Sequence, residues 1–149
     1  MFTINPMEII STSEQQTAEA ARSLVRELSD REVILLYGDL GMGKSVFCRN
    51  LIKALCQDDS MEVPSPTFTL LQQYNYEKGI IWHFDLYRLS DPSEIYEIGW
   101  EEALEDGIVL VEWPDRLGRL LPKNYIEIAL SKPPQTPPDT RKIEIIRHE

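Results

Sequence analysis

Sulfur and imidazole are scarce in these 149 residues: the cysteines are Cys48 and Cys56, and the histidines are His83 and His148. Both cysteines fall on one helical stretch, eight residues apart, and two turns of straight helix hold them too far apart to bridge. With the histidines elsewhere in the chain no zinc-ligand spacing arises, so the sequence predicts packed or half-buried free thiols in a reducing compartment. Basic residues are also few, 15 Lys and Arg against 25 Asp and Glu, for a net charge of −10. Nucleic-acid binding depends largely on cations that neutralise phosphates, so this balance argues against a direct RNA or DNA surface. No apolar run reaches the length of a membrane span, and Met1-Phe2-Thr3-Ile4-Asn5-Pro6 has neither the basic nor the apolar segment of an export signal. A cytoplasmic protein without a membrane partner is expected. Glycine is sparse as well, yet three of the seven fall between positions 38 and 43.

That cluster is Gly38-Asp39-Leu40-Gly41-Met42-Gly43-Lys44-Ser45, a complete phosphate-binding loop. It follows an apolar run, Val33 to Tyr37, and precedes a helical pattern with Phe47, Leu51 and Leu55 four residues apart. Strand, glycine loop and helix in that order are the context the motif requires. The glycines let the backbone bring successive N–H groups to phosphate oxygens, and the following helix adds its positive N-terminal end. Lys44 can reach the β- and γ-phosphates, and the Ser45 hydroxyl can ligate Mg²⁺. A nucleoside triphosphate site is expected.

Elsewhere the chain alternates strand and helix patterns without internal repeats. A strand near Met7–Ile10 leads to Ser11-Thr12-Ser13-Glu14, where Ser11 with Glu14, or Ser13 with Gln16, would form a capping box. The helix that follows puts Ala18, Ala21, Leu24, Val25 and Leu28 on one face. Extended runs at 67–76 and 80–86, joined by Glu77-Lys78-Gly79, predict a hairpin. Short helices are predicted at 92–97 and 101–105, and Gly107 to Val111 reads as a fully buried strand. Strands at 125–130 and 141–146 flank a stiff connector containing Pro133, Pro134, Pro137 and Pro138. Residues 1–149 thus predict a single α/β domain, a P-loop NTPase-like fold with a mixed sheet flanked by helices. Its acidity gathers in Glu94, Glu97, Glu101, Glu102, Glu105 and Asp106, either a solvated helical face or a docking surface for a basic partner.

Hydrolysis needs a second acidic element near the metal. Two apolar strands end in carboxylates: Asp85 follows Ile80 to Phe84, and Glu112 follows Ile108 to Val111. Ligands of α/β sheets sit outside the carboxyl ends of the parallel strands, so both positions suit a Mg²⁺ site. One carboxylate would hold the metal and the other would polarise the attacking water. No Asn-Lys-x-Asp or Thr-Lys-x-Asp guanine reader occurs, which favours ATP. Near the base the candidates are Ser11, Thr12, Ser13 and Glu14 at the head of the first helix, together with Arg141, which could stack on the ring.

Four blocks together are similar to one bacterial ATPase family, TsaE (also YjeE): Gly38 to Ser45; Val63-Pro64-Ser65-Pro66-Thr67-Phe68-Thr69-Leu70; His83-Phe84-Asp85-Leu86-Tyr87-Arg88-Leu89; and Glu112-Trp113-Pro114. The blocks stand in the family's order across nearly the whole chain. The resemblance implies a role in placing a threonylcarbamoyl group on N6 of the tRNA adenosine beside the anticodon. In that role the ATPase assists a separate transferase pair, TsaD and TsaB, and meets tRNA only indirectly. It implies that Thr67 senses the γ-phosphate or metal, that Asp85 is the Walker-B aspartate, that Glu112 serves the metal site and hydrolysis, and that Trp113 is the neighbouring aromatic. Ser45 stands where many members carry threonine, with the same hydroxyl, and Met42 replaces a common alanine.

The expected chemistry is Mg²⁺-assisted hydrolysis of ATP to ADP by in-line attack of water. Lys44, Asp85 and Glu112 form the catalytic set, and Ser45, Asp85 and Glu112 the metal ligands. Arg88 is a candidate charge-neutralising finger or else a surface salt-bridge partner. Turnover without partners is expected to be weak. A small kinase, or a nucleotide-controlled switch whose hydrolysis only resets an assembly, would share the same loop.

Overall fold

The computed structural model describes residues 6–149; residues 1–5, most of the segment read for an export signal, lie outside the described residues. Runs rich in Val, Ile and Leu form the centre of one sheet. The strands are β1 (Met7–Ser11), β2 (Glu32–Tyr37), β3 (Leu71–Tyr76), β4 (Gly79–Asp85), β5 (Ile108–Glu112), β6 (Tyr125–Ser131) and β7 (Arg141–His148). Their spatial order is β1-β7-β6-β2-β5-β4-β3. β6, β2, β5 and β4 run parallel, while β7 pairs antiparallel with β6 and with β1, and β3 antiparallel with β4. The sheet is mixed, as the alternating patterns predict.

Strand side chains alternate between two apolar layers. Ile108 and Leu110 of β5 join Ile34, Leu36 and Ile81 beneath α1 (Glu14–Leu24) and α2 (Lys44–Cys56), against Ala21, Leu24, Phe47, Leu51 and Ile52. Val109 and Val111 face the other way, with Leu35, Trp82 and Phe84, toward α3 (Trp100–Glu105) and the 3₁₀ segments Pro92–Ile98 and Pro114–Leu120. Phe84 meets Trp100 edge-on, ring centroids 5.3 Å apart, which ties the second layer together. Gly107 admits β5 to this arrangement. It has φ +98, and a Cβ there would lie 2.0 Å from the Ile80 carbonyl oxygen of β4.

Four local features differ from the sequence expectation. The first helix is α-helical only to Leu24 and tightens to 3₁₀ over Val25–Glu27, although Leu28 remains buried in the same layer. Ser13 caps it by accepting from Gln16 N at 3.1 Å, while the Gln16 side chain reaches back to Thr12 N at 2.6 Å instead of to Ser13. β3 begins at Leu71 and not at Thr67: Leu70 takes a left-handed φ of 68° and its N–H bonds Pro66 O, so Thr67 to Leu70 close a turn. The 3₁₀ segment Pro114–Leu120 lacks an apolar period to announce it, and Gly118 breaks its helical geometry at φ 52°, ψ −123°. Cys48 is buried and Cys56 half-buried, both free, in agreement with the thiol reading.

Candidate nucleotide-binding site

β2 lies at the centre of the sheet and runs straight into the glycine loop. Gly38, at φ +150, lies so close to β6 that a Cβ would meet the Leu130 carbonyl oxygen at 2.7 Å. Any side chain there would push the loop off the sheet. α2 starts at Lys44, and the Phe47 N–H closes its first turn on Gly43 O at 2.9 Å. Among the described residues no side chain caps this helix, so its leading N–H groups are free to face an anion.

Lys44 is buried beneath the loop, where its ammonium donates to the Gly38 carbonyl and sits 3.5 Å from the centre of the Trp113 ring. Burial lowers its pKa; the carboxylates of Glu112 and then Asp85 oppose the shift. Trp113 has a left-handed backbone, φ 59°, which a tryptophan rarely adopts, and its ring packs on Tyr87 with centroids 5.0 Å apart. The indole thereby makes a wall of the cleft and a platform for the lysine.

Asp85 and Glu112 stand in register at the carboxyl ends of neighbouring parallel strands, and Leu36 of β2 is in register with Glu112. The same alternation that buries Ile108, Leu110 and Ile81 beneath α2 turns both carboxylates to the side where the helix begins. Asp85 is fixed through one oxygen by Thr67 Oγ1 at 2.9 Å and through the other by Tyr87 N at 3.0 Å. Thr67 in turn is bonded to Ser65 at 2.8 Å, which ties the Ser65-Pro66-Thr67 turn to the strand end. Glu112 Oε1 faces Ser45 Oγ at 3.4 Å, and Oε2 is bonded to His83 Nε2 at 2.8 Å. Lys44, Ser45, Thr67, Asp85, Glu112 and Trp113, with Leu40, Gly41 and Gly43, line one cleft of about 390 Å³. The oxygens of Ser45, Asp85 and Glu112 are a hard donor set that could hold a cation such as Mg²⁺, and the loop amides with Lys44 suit a polyphosphate.

A smaller cleft of about 110 Å³ continues past the loop, lined by Ser13, Glu14, Gly41, Met42 and Arg141 among others. Arg141 donates to the Gly41 carbonyl at 3.2 Å and to Pro138 O and Thr140 O at 2.8 Å, which braces the loop from β7. Ser11 is buried with its hydroxyl bonded to Thr17 and to Ser13 O, and Thr12 is engaged with Gln16, so neither lines this cleft. Asp39 borders a third depression, on the β6 side of the loop. Arg88 points outward, its guanidinium 4.8 Å over the exposed ring of Phe68.

His83 is the site residue that the spacing argument overlooks. Its ring, the Cys48 sulfur and a Glu112 oxygen lie within 4.8 Å of one another, a trio distant in sequence. Burial, reinforced by Glu112 and then Asp85, pushes the Cys48 thiol well up. The partnership that counts is His83 with Glu112. Its signal was the two-residue step from His83 to Asp85, which places both on one strand face.

A glycine loop between the central strand and its helix, with paired carboxylates at the adjoining strand ends, defines a P-loop NTPase-like α/β protein. The fold is shared with a solved structure, Bacillus subtilus YdiB, at a TM-score of 0.78 and 22% identity over 100% of this chain and 90% of that one. The chain belongs to the TsaE family, whose model, described as "Threonylcarbamoyl adenosine biosynthesis protein TsaE", matches residues 11–143. A relative named tRNA threonylcarbamoyladenosine biosynthesis protein TsaE from Rickettsia felis is 43% identical over 122 residues, 82% of this chain and 71% of the relative. One of the same name from Aquifex aeolicus is 40% identical over 109 residues, covering 73% and 77%.

Proposed function

We propose that this protein hydrolyses ATP in support of tRNA threonylcarbamoyladenosine formation in the cytoplasm, as an accessory to a TsaD–TsaB transferase pair that carries out the transfer itself. The observation that carries the ATPase reading is the register of Asp85 with Glu112 beside the loop that holds Lys44 and Ser45. Bound Mg²⁺ would supply charge neutralisation on the phosphate oxygens. Ser45, Asp85 and Glu112 would hold it, and the loop amides with Lys44 would bind the β- and γ-phosphates. Lys44 is suited to that task, because a cation whose burial lowers its pKa gains from an anionic partner. Glu112, turned toward Ser45, would orient the attacking water.

Steady-state phosphate release, measured with and without TsaD and TsaB, tests the reading: slow turnover alone and a rise with the partners are expected. Equal and fast rates in both conditions would remove the coupling, and a phosphorylated metabolite as product would make the protein a kinase. With Glu112→Gln, hydrolysis should be lost together with tRNA modification. If modification persists, hydrolysis only resets an assembly.

A further inference from the structure

We propose that His83 is a positioning residue for Glu112: its ring N–H at Nε2 donates to Oε2 and anchors it, so that Oε1 is presented to Ser45 and the metal side of the cleft. The inference rests on the Mg²⁺-dependent ATPase reading of this site. Both residues are only 2% exposed, and Nε2 and Oε2 are 2.8 Å apart, so the bond forms away from competing water.

The two carboxylates of the site differ in how they are held. Asp85 is fixed by a backbone N–H and a threonine hydroxyl from its own surroundings. Glu112 has a longer side chain, whose hydrogen bonds among the described residues go to His83 and, at a looser 3.4 Å, to Ser45. Without His83 the glutamate would keep several rotamers, and the oxygen that faces the cleft would no longer be selected. The ring makes this bond through Nε2, while His83 Nδ1, at the opposite edge, is buried and finds no partner among the described residues. A carboxylate oxygen accepts, so the hydrogen of this bond lies on Nε2.

The test uses the full chain with TsaD and TsaB and two variants, His83→Leu and His83→Gln. Leucine fills the space without a donor, whereas the glutamine amide can set an N–H near the position of Nε2. For His83→Leu we expect kcat to fall about 10–100-fold and the Mg²⁺ requirement to rise, as for other lost partners of metal-ligating groups, with ADP affinity in the absence of Mg²⁺ held within about twofold. His83→Gln should regain most of kcat. Full activity in His83→Leu overturns the proposal. So does joint loss of ADP affinity and kcat in both variants, which would make His83 a core filler. A measurement on the unsubstituted, nucleotide-free protein stands apart from activity and from mutant folding: ¹⁵N-histidine NMR should show a slowly exchanging hydrogen on His83 Nε2, and a bare Nε2 overturns the inference. If the unsubstituted protein releases no phosphate even with its partners, the ATPase reading fails on its own, and the NMR result still decides whether His83 holds Glu112.

Discussion

Lys44 divides its charge between the Gly38 carbonyl and the face of Trp113, inside a cleft that lowers its pKa. A phosphate that draws the ammonium away must change the surroundings of the indole. Addition of MgADP is therefore expected to alter Trp113 fluorescence, and Lys44→Ala to abolish the change while weakening nucleotide binding about 10–100-fold, the worth of a charge-assisted hydrogen bond. An unchanged affinity in Lys44→Ala would contradict the assignment. At the same scale, the thiols differ in access more than in chemistry. Burial raises the pKa of both, and only Cys56 is partly exposed. A thiol reagent at neutral pH should label one cysteine slowly in the native protein and both after denaturation. Rapid labelling of two in the native state would show that the layer under α2 opens readily. The glycines, Lys44 and Ser45 are legible in sequence because the motif is contiguous. His83 is not, because its partner lies 29 residues away and meets it only across two strands.

Among the elements, β5 has the least freedom. Its five residues are all buried, and it enters the sheet through a glycine that has no room for a Cβ. Gly107→Ala must both adopt a left-handed backbone and move β4, so a loss of about 3 kcal/mol or more is expected in urea unfolding. A loss below about 1 kcal/mol would mean that β4 and β5 shift apart easily, and with them the register of Asp85 and Glu112. Strand positions were readable from their apolar runs, and α2 from its four-residue spacing. The Thr67–Leu70 turn was not, since its residues have extended-chain propensities. A left-handed Leu70 and the Thr67–Asp85 bond, both products of the packed structure, decide it.

For the molecule as a whole, the net charge of −10 sets the terms of its encounter with RNA. Glu94, Glu97, Glu101, Glu102, Glu105 and Asp106 are all exposed around α3 and the 3₁₀ segment before it, although Glu94 also closes a capping box on Asp91 N at 2.7 Å. No helix among the described residues is long and apolar enough to cross a membrane. The isolated chain is expected to bind tRNA more weakly than about 10⁻⁴ M at physiological salt, in a gel-shift or anisotropy assay. Tighter binding that weakens steeply with added salt would point to a basic surface that the composition hides. The amino-acid sequence by itself determined the phosphate loop, the alternation of strand and helix, the two strand-end carboxylates and the acidic balance, because each is a local pattern or a sum over residues. Only the tertiary structure decided that Asp85 and Glu112 share a register, that Trp113 lies over Lys44, and that His83 holds Glu112. Those relations depend on strand order and packing between segments far apart in the chain, which no local pattern encodes.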